Sequence, residues 1–236
     1  MRGHGGHSMH ILIVLTSHDR LGDSGSETGC GLEEFCAAYY VFRDAGAEIT
    51  LASPAGGQPP IDPRSEGSDR PSETVRRFKS DQAARTELAD TLALDQVAPE
   101  DFDAVFYIGG HGALWDLPED PVSQALIAAI HAAGKPLALV GHGPAALRRV
   151  VDAGGRPLVS GRRVTGTANS EEAAMGLTDS LPLLLQDELV ALGGLYSKGL
   201  DGISHVVRDG ALITGQNRAS AADAAIAVLA ILRGSA

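Results

Sequence analysis

Lys135-Pro-Leu-Ala-Leu-Val-Gly-His-Gly-Pro-Ala-Ala-Leu147 is the stretch on which the reading of this chain turns. Leu137 to Val140 is a short apolar run of the kind buried on both faces of a parallel sheet. It breaks into Gly141-His-Gly-Pro144, and the segment from Pro144 to about Val151 predicts a helix. A strand that turns sharply into a helix is where α/β enzymes mount a nucleophile above the sheet. The apex here is Gly141, which has no side chain to attack with.

The same grammar extends in both directions. His10 to Thr16 is an apolar, β-branched run that predicts another buried strand, followed by a polar loop from Ser17 to Gly29. Leu32 to Ala45 predicts a helix with Leu32, Phe35, Cys36, Tyr39, Tyr40 and Phe42 as its apolar stripe, stopped at Gly46. Glu48 to Ser53 predicts a strand, and Pro54 to Arg77 a long covering loop. Asp81 to Thr91 predicts a helix. Asp103 to Ile108 is a strand running into Gly109-Gly-His-Gly112. Pro121 to Ala133 is a helix, and Pro157–Val159 with Arg162–Thr165 suggests a short hairpin around Ser160-Gly161. Glu171–Met175 and Leu181–Ala191 are helical. His205 to Thr214 reads as two strands around Asp209-Gly210, and Ala219 to Leu232 as a last helix.

Strands alternating with helices indicate a mostly parallel sheet covered on both faces, in an α/β fold. No linker or repeat divides the chain. Residues 1–9 form a polar flexible leader and residues 10–236 one domain. Sites in such sheets lie beyond the carboxyl ends of the strands. That rule gathers the loops after Thr16, Ile108 and Val140 into one crevice, with His18, Asp19, Gly110, His111, Gly141 and His142 among the residues offered.

Composition narrows the partners. Of 236 residues, 44% are hydrophobic and 4% aromatic, and the net charge is −11. So few aromatics argue against a base-stacking platform, and the charge would repel nucleic acid and anionic membranes. No apolar run reaches the roughly 18 residues of a membrane span. A cytoplasmic protein is the expectation. Two cysteines, Cys30 and Cys36, make no disulfide framework. His4, His7 and His10 are spaced three apart, but no cysteine or carboxylate completes a metal shell around them. No metal and no cofactor is called for.

Several stretches, in order along nearly the whole chain, carry a resemblance. They are Thr16-Ser-His-Asp-Arg-Leu-Gly22, Thr28-Gly29 with Leu32-Glu-Glu-Phe35, Leu51-Ala-Ser-Pro54 with Gly56-Gly-Gln-Pro-Pro60, and Gly109-Gly-His-Gly112 with Trp115-Asp-Leu-Pro118. His142-Gly-Pro144, Thr165-Gly166 with Asn169-Ser-Glu-Glu172, and Ile213-Thr-Gly-Gln-Asn217 complete the set. Together they resemble the DJ-1/PfpI superfamily, in its Hsp31-like branch of glyoxalase III and deglycase-type proteins. The resemblance implies a flavodoxin-like three-layer α/β/α sandwich, often a homodimer, acting on a small carbonyl metabolite. It implies that Glu34 hydrogen-bonds the reacting centre, that His142 is a base oriented by Glu172, and that the Gly110 and His142 backbone N–H groups form an oxyanion site. In that family the elbow reads Cys-His-Gly-Pro, so the nucleophilic cysteine falls at Gly141. Cys30-Gly31, Thr167 and Arg218 also depart from the family's usual residues. Three of the four departures put a smaller side chain near the expected pocket.

The residues themselves carry other readings. Glu34 and Glu33 point about 100° apart on a helix, so one faces solvent and the other the crevice. An enclosed carboxyl has a raised pKa and can give or take a proton. Cys30 lies about one turn before Glu34 and is a candidate substitute thiol, although no basic residue nearby would activate it. Pocket residues are expected to include Gly141, Gly31, Cys30, His111, Thr167, Asp19, Trp115 and Arg218. Three functions follow. The first is a cysteine-independent enzyme using Glu34 and His142 for hydration, hydrolysis, dehydration or isomerisation of a bulky carbonyl, enol or epoxide, as in specialised metabolism. The second is a glyoxalase III or deglycase-like lyase acting on methylglyoxal or its adducts. The third is a non-catalytic chaperone or ligand-binding protein.

Overall fold

The computed structural model describes residues 8–67 and 69–234. Among these residues seven strands form one sheet in the order β3-β2-β1-β4-β5-β9-β8. The strands are β1 (His10–Val14), β2 (Glu48–Ser53), β3 (Leu92–Ala93), β4 (Ala104–Tyr107), β5 (Leu137–Val140), β8 (Val206–Asp209) and β9 (Leu212–Gly215). Every pairing is parallel except β8 with β9, which closes one edge antiparallel. The central register aligns Ile11 with Ile49 and Ala104, Val105 with Leu137, and Leu137 with Leu212. β6 (Arg163–Val164) and β7 (Leu195–Tyr196) form a separate parallel pair.

Alternate side chains of each central strand enter opposite layers, as the two-residue period requires. On one face Ile11, Ile13, Phe106 and Val140 pack with α1 (Leu32–Asp44), α8 (Ala221–Leu232) and the pair α3 (Glu73–Ser80) and α4 (Gln82–Ala89). On the other, Leu12, Val14, Val105, Tyr107 and Leu139 pack with α5 (Pro121–Ala132) and the turn after β5. This is the flavodoxin-like α/β/α sandwich. No helix of the described residues is long and apolar enough to cross a membrane.

Three segments differ from the expectation. The segment after the elbow is a 3₁₀ turn, Gly143–Leu147, not an α-helix. Its bonds run from Ala145 N to His142 O and from Arg148 N to Ala145 O, because Gly143 is pressed against the Tyr107 carbonyl and β-branched Val150 and Val151 follow. The stretch from 157 to 165 is not a hairpin: Pro157 bridges back to Val151, and Val164 pairs in parallel with Tyr196. Asp209 holds this alternative by accepting from Arg163 N at 2.9 Å. The long loop after β2 contains α2 (Pro63–Glu66) and all but the end of α3. Asp62 caps the first by accepting from Arg64 N at 2.9 Å, and Ser72 caps the second at Val75 N, 3.3 Å.

His4 and His7, with the rest of the proposed leader through residue 7, lie outside the described residues. Met9 packs against the core, and its carbonyl accepts from Glu48 N at 2.8 Å.

Candidate active site

Three strand ends and the first turn of α1 meet at one crevice. β5 is fully buried and ends at Gly141, whose φ is +60°. Only glycine adopts that conformation freely. Both backbone polar groups of Gly141 are used: its N–H donates to Gly215 O (3.0 Å) and its carbonyl accepts from Thr167 N (3.0 Å). A β-carbon on Gly141 would stand 3.0 Å from each carboxyl oxygen of Glu34. The Glu34 carboxyl therefore faces the apex of the elbow directly.

Glu34 is placed by backbone. Gly109 N donates to its Oε2 at 2.9 Å, Gly31 N donates to Gly109 O at 3.1 Å, and Gly112 N donates to Gly29 O at 3.3 Å. Gly110, at φ +109°, comes so close that an added β-carbon would lie 2.4 Å from Gly29 O and 2.6 Å from Cys30 Cα. The Gly109–Gly112 loop is thus locked to the segment that launches α1. Glu34 is 6% exposed. Burial pushes its pKa up to about 7, opposed by the charge of His142, the Gly109 N–H and Arg218. Its neighbour Glu33 turns outward to the cavity mouth, 3.7 Å from Arg218.

Behind the elbow stand three buried groups. Glu172, on α6 (Asn169–Met175), receives His142 Nε2 on Oε1 in a short hydrogen bond and His111 Nε2 on Oε2 at 2.9 Å. The two imidazoles are 4.0 Å apart between centroids. Burial opposes the Glu172 charge, but the hydrogen bonds from His111 and His142 outweigh it and hold its pKa down at about 2. Burial, reinforced by the charge of His142, pushes His111 down to about 4. An ionised carboxylate only accepts, so His142 Nε2 carries the proton and its Nδ1 is the basic nitrogen when the ring is neutral. Glu171, next in the chain, turns away: its Oε1 accepts from Gly202 N and Asn217 Nδ2.

Glu34, His111 and His142 line a cavity of about 520 Å³, and Glu172 stands behind the two imidazoles, off its wall. Gly31, Gly110, His111, His142, Thr167 and Arg218 reach it as expected. Among the described residues, no hydrogen bond within the protein uses the backbone N–H of Gly110 or His142.

Four expected pocket residues are not on the cavity wall: Gly141, which lies beneath the Glu34 carboxyl, and Cys30, Trp115 and Asp19, which lie elsewhere. Cys30 is fully buried in the core, not on the cavity. It precedes α1 in an extended link, bonded through Pro60 O and Asp62 N, so it does not share the helical face of Glu34. Burial and the Glu34 charge raise its pKa, which removes it as a nucleophile. Trp115 stacks on His18 at 4.9 Å and lines a separate cleft of about 310 Å³ with Gly22, Asp179 and Leu181. Asp19 is exposed, and its contribution is a carbonyl that accepts from Thr28 N. Conversely, Asp62, Arg64, Met175 and Asp201 line the cavity without having been singled out. The Asp62-Pro63 pair, a helix-cap signal inside the supposed loop, was the available pointer to the first two.

His111, His142 and Glu172 bring their ligand atoms within 4.8 Å of one another, close enough for a metal ion. The donor chemistry does not fit one. Arg64 Nη2 donates to His111 Nδ1 at 3.2 Å. Arginine has no acceptor, so the His111 proton lies on Nε2, the nitrogen an ion would need. Metal-bound histidines donate outward from their other nitrogen.

The sequence profile of the DJ-1/PfpI family matches residues 27–231. Glutathione-independent glyoxalase hsp3101 of Schizosaccharomyces pombe is 31% identical over 236 residues, covering 94% of this chain and 96% of its own. The crystal structure of glyoxalase III from Candida albicans superimposes with a TM-score of 0.87 at 28% identity, over 94% of this chain and 96% of that one. The Rapid Encystment Protein of 24 kDa from Francisella tularensis gives 0.89 at 35% identity, over 93% and 97%.

Proposed function

Because this chain belongs to the DJ-1/PfpI family, we propose that it is a glyoxalase-type enzyme that works without a thiol, with Gly141 standing where the family's nucleophilic cysteine would be. Its relatives are named glyoxalases, which favours a 2-oxoaldehyde as substrate and a 2-hydroxy acid as product. None of those names points to specialised metabolism, or to hydrolysis of an epoxide.

The observation that carries the reading is the Glu34 carboxyl, poised near neutrality and 3.0 Å from where a Gly141 side chain would begin. A 2-oxoaldehyde in water is largely its aldehyde hydrate, R–CO–CH(OH)₂. The hydrate hydroxyl takes the place of the absent sulfur. Glu34 removes the C1 proton, the electron pair moves to the ketone oxygen, and an enetriol forms. Glu34 returns the proton to C2 as the C1 hydroxyl loses its own, leaving R–CH(OH)–COOH. Atoms and electrons balance as an isomerisation of the hydrate. His142 Nδ1 moves the hydroxyl proton, and the Gly110 and His142 N–H groups hold the developing oxyanion.

The substituent R is larger than methyl. A volume of about 520 Å³ falls within the roughly 300–1,000 Å³ that accommodates drug-sized ligands. Gly31 and Thr167 on its wall favour that reading.

The test is turnover of methylglyoxal and phenylglyoxal to their hydroxy acids, followed by chromatography. Both are converted, phenylglyoxal with the higher kcat/KM. Glu34→Gln lowers kcat by about 10²–10⁴-fold, and Cys30→Ala with Cys36→Ala leaves it unchanged. No turnover of either compound, or turnover lost with the cysteines, overturns the reading.

A further inference from the structure

We propose that Arg64 is a positioning residue that sets the tautomer of His111, and through it the hydrogen-bonding pattern of the whole buried His111–Glu172–His142 cluster. The inference goes beyond the proposed reaction and holds whatever the substrate is.

The chain of contacts is continuous. Thr28 Oγ1 donates to Asp62 Oδ2 at 2.9 Å, and Arg64 Nε donates to Asp62 Oδ1 at 3.0 Å. Asp62 is 5% exposed and also caps α2, so the guanidinium is anchored at its root. Arg64 Nη2 then reaches His111 Nδ1 at 3.2 Å, and His111 Nε2 reaches Glu172 Oε2 at 2.9 Å. Each end of the His111 ring meets a partner of fixed polarity. Arginine is always charged and only donates; an ionised carboxylate only accepts. Only one neutral tautomer satisfies both, with the proton on Nε2.

The consequence passes along the cluster. With Nδ1 occupied by a cationic donor, a second proton on His111 would have to displace that hydrogen bond, which adds to the burial and the His142 charge that already hold the ring neutral. Glu172 keeps one oxygen for each ring and stays ionised. His142 is thereby the histidine whose Nδ1 is left for a proton. The two imidazoles lie 4.0 Å apart between centroids, and only His111 has its Nδ1 occupied by Arg64. The charged and titratable groups around His111 are Arg64 and Asp62 from the α2 segment, His142 from the elbow, Glu172 from α6 and Glu34 from α1 across the same cavity.

Imidazole ¹⁵N shifts of the selectively labelled protein test this directly. In the wild type at pH 7, His111 shows an unprotonated Nδ1 and a protonated Nε2. In Arg64→Met, with Arg64→Gln as the milder form, Nδ1 is released and His111 is protonated at least about tenfold more readily at pH 6. A wild-type His111 carrying its proton on Nδ1 overturns the proposal. So does a folded variant whose His111 keeps the wild-type tautomer and titration. A merely structural arginine would change thermal stability without moving these signals.

Discussion

At the scale of single residues, Gly141 and Glu34 define each other. A side chain at position 141 must sit at φ +60° and 3.0 Å from both carboxyl oxygens of Glu34. Gly141→Ala and Gly141→Cys are expected to fold and to be less stable than the wild type by about 1–3 kcal/mol, read from urea midpoints; a more stable variant contradicts the account. Glu34 gives a pH signature. Its carboxyl titrates at about 7 in the folded chain against an ordinary 4.5. Between those values the folded state holds a proton that the unfolded state has lost, so this group's contribution falls as pH rises and its whole penalty is present above 7. Glu34→Gln, which cannot ionise, is expected to gain on the order of 3 kcal/mol relative to wild type between pH 4.5 and 8. The same group acting as base places the acid limb of kcat/KM near pH 7, and a limb near 4.5 would remove Glu34 from that role.

At the scale of elements, the site depends on backbone meeting backbone. The loop after β4 locks onto the start of α1 through Gly110, where a methyl group would strike Gly29 O and Cys30 Cα. Neither is the end of a flexible side chain, so neither yields cheaply. Gly110→Ala is expected to cost about 2–4 kcal/mol and to displace Glu34, visible together as a lowered melting temperature and lost turnover. Much of this was legible. The apolar runs marked the core strands, and adjacent Glu33 and Glu34 were bound to diverge on a helix. The misreadings have a common cause. Pro, Ser and Asp mark loops and helix caps alike, so Asp62-Pro63 and Ser72 read as loop when they begin α2 and α3. Cys30 was placed by helical spacing from Glu34, but the helix starts only after Gly31.

At the scale of the whole molecule, the cavity draws on chain positions from Gly31 to Arg218. The rule that sites lie beyond the carboxyl ends of parallel strands found the loops after β4 and β5; the loop after β1 gives the cavity no wall residue, and Asn217 and Arg218 reach it from the end of β9 instead. The rule could not find Arg64 or Asp201, which arrive from segments outside the sheet; each is held by a near neighbour, Asp62 and Lys198, but only the tertiary fold brings it to the cavity.

The opposed burial of Glu34 and His111 has a consequence for how the chain exchanges protons with water. Near pH 6 the unfolded chain has Glu34 ionised and His111 mostly protonated, whereas the folded chain has Glu34 protonated and His111 neutral. Folding therefore moves a proton from a base to an acid inside one molecule, with almost no net uptake from the two groups. Calorimetric unfolding in buffers of different ionisation enthalpy makes this visible: Glu34→Gln should differ from the wild type by close to one proton per molecule, about what one silenced carboxyl would withhold. Below pH 7 the folded site thus holds on Glu34 the proton that this carboxyl must shed before it can act as base, the equivalent of the one His111 surrendered on folding.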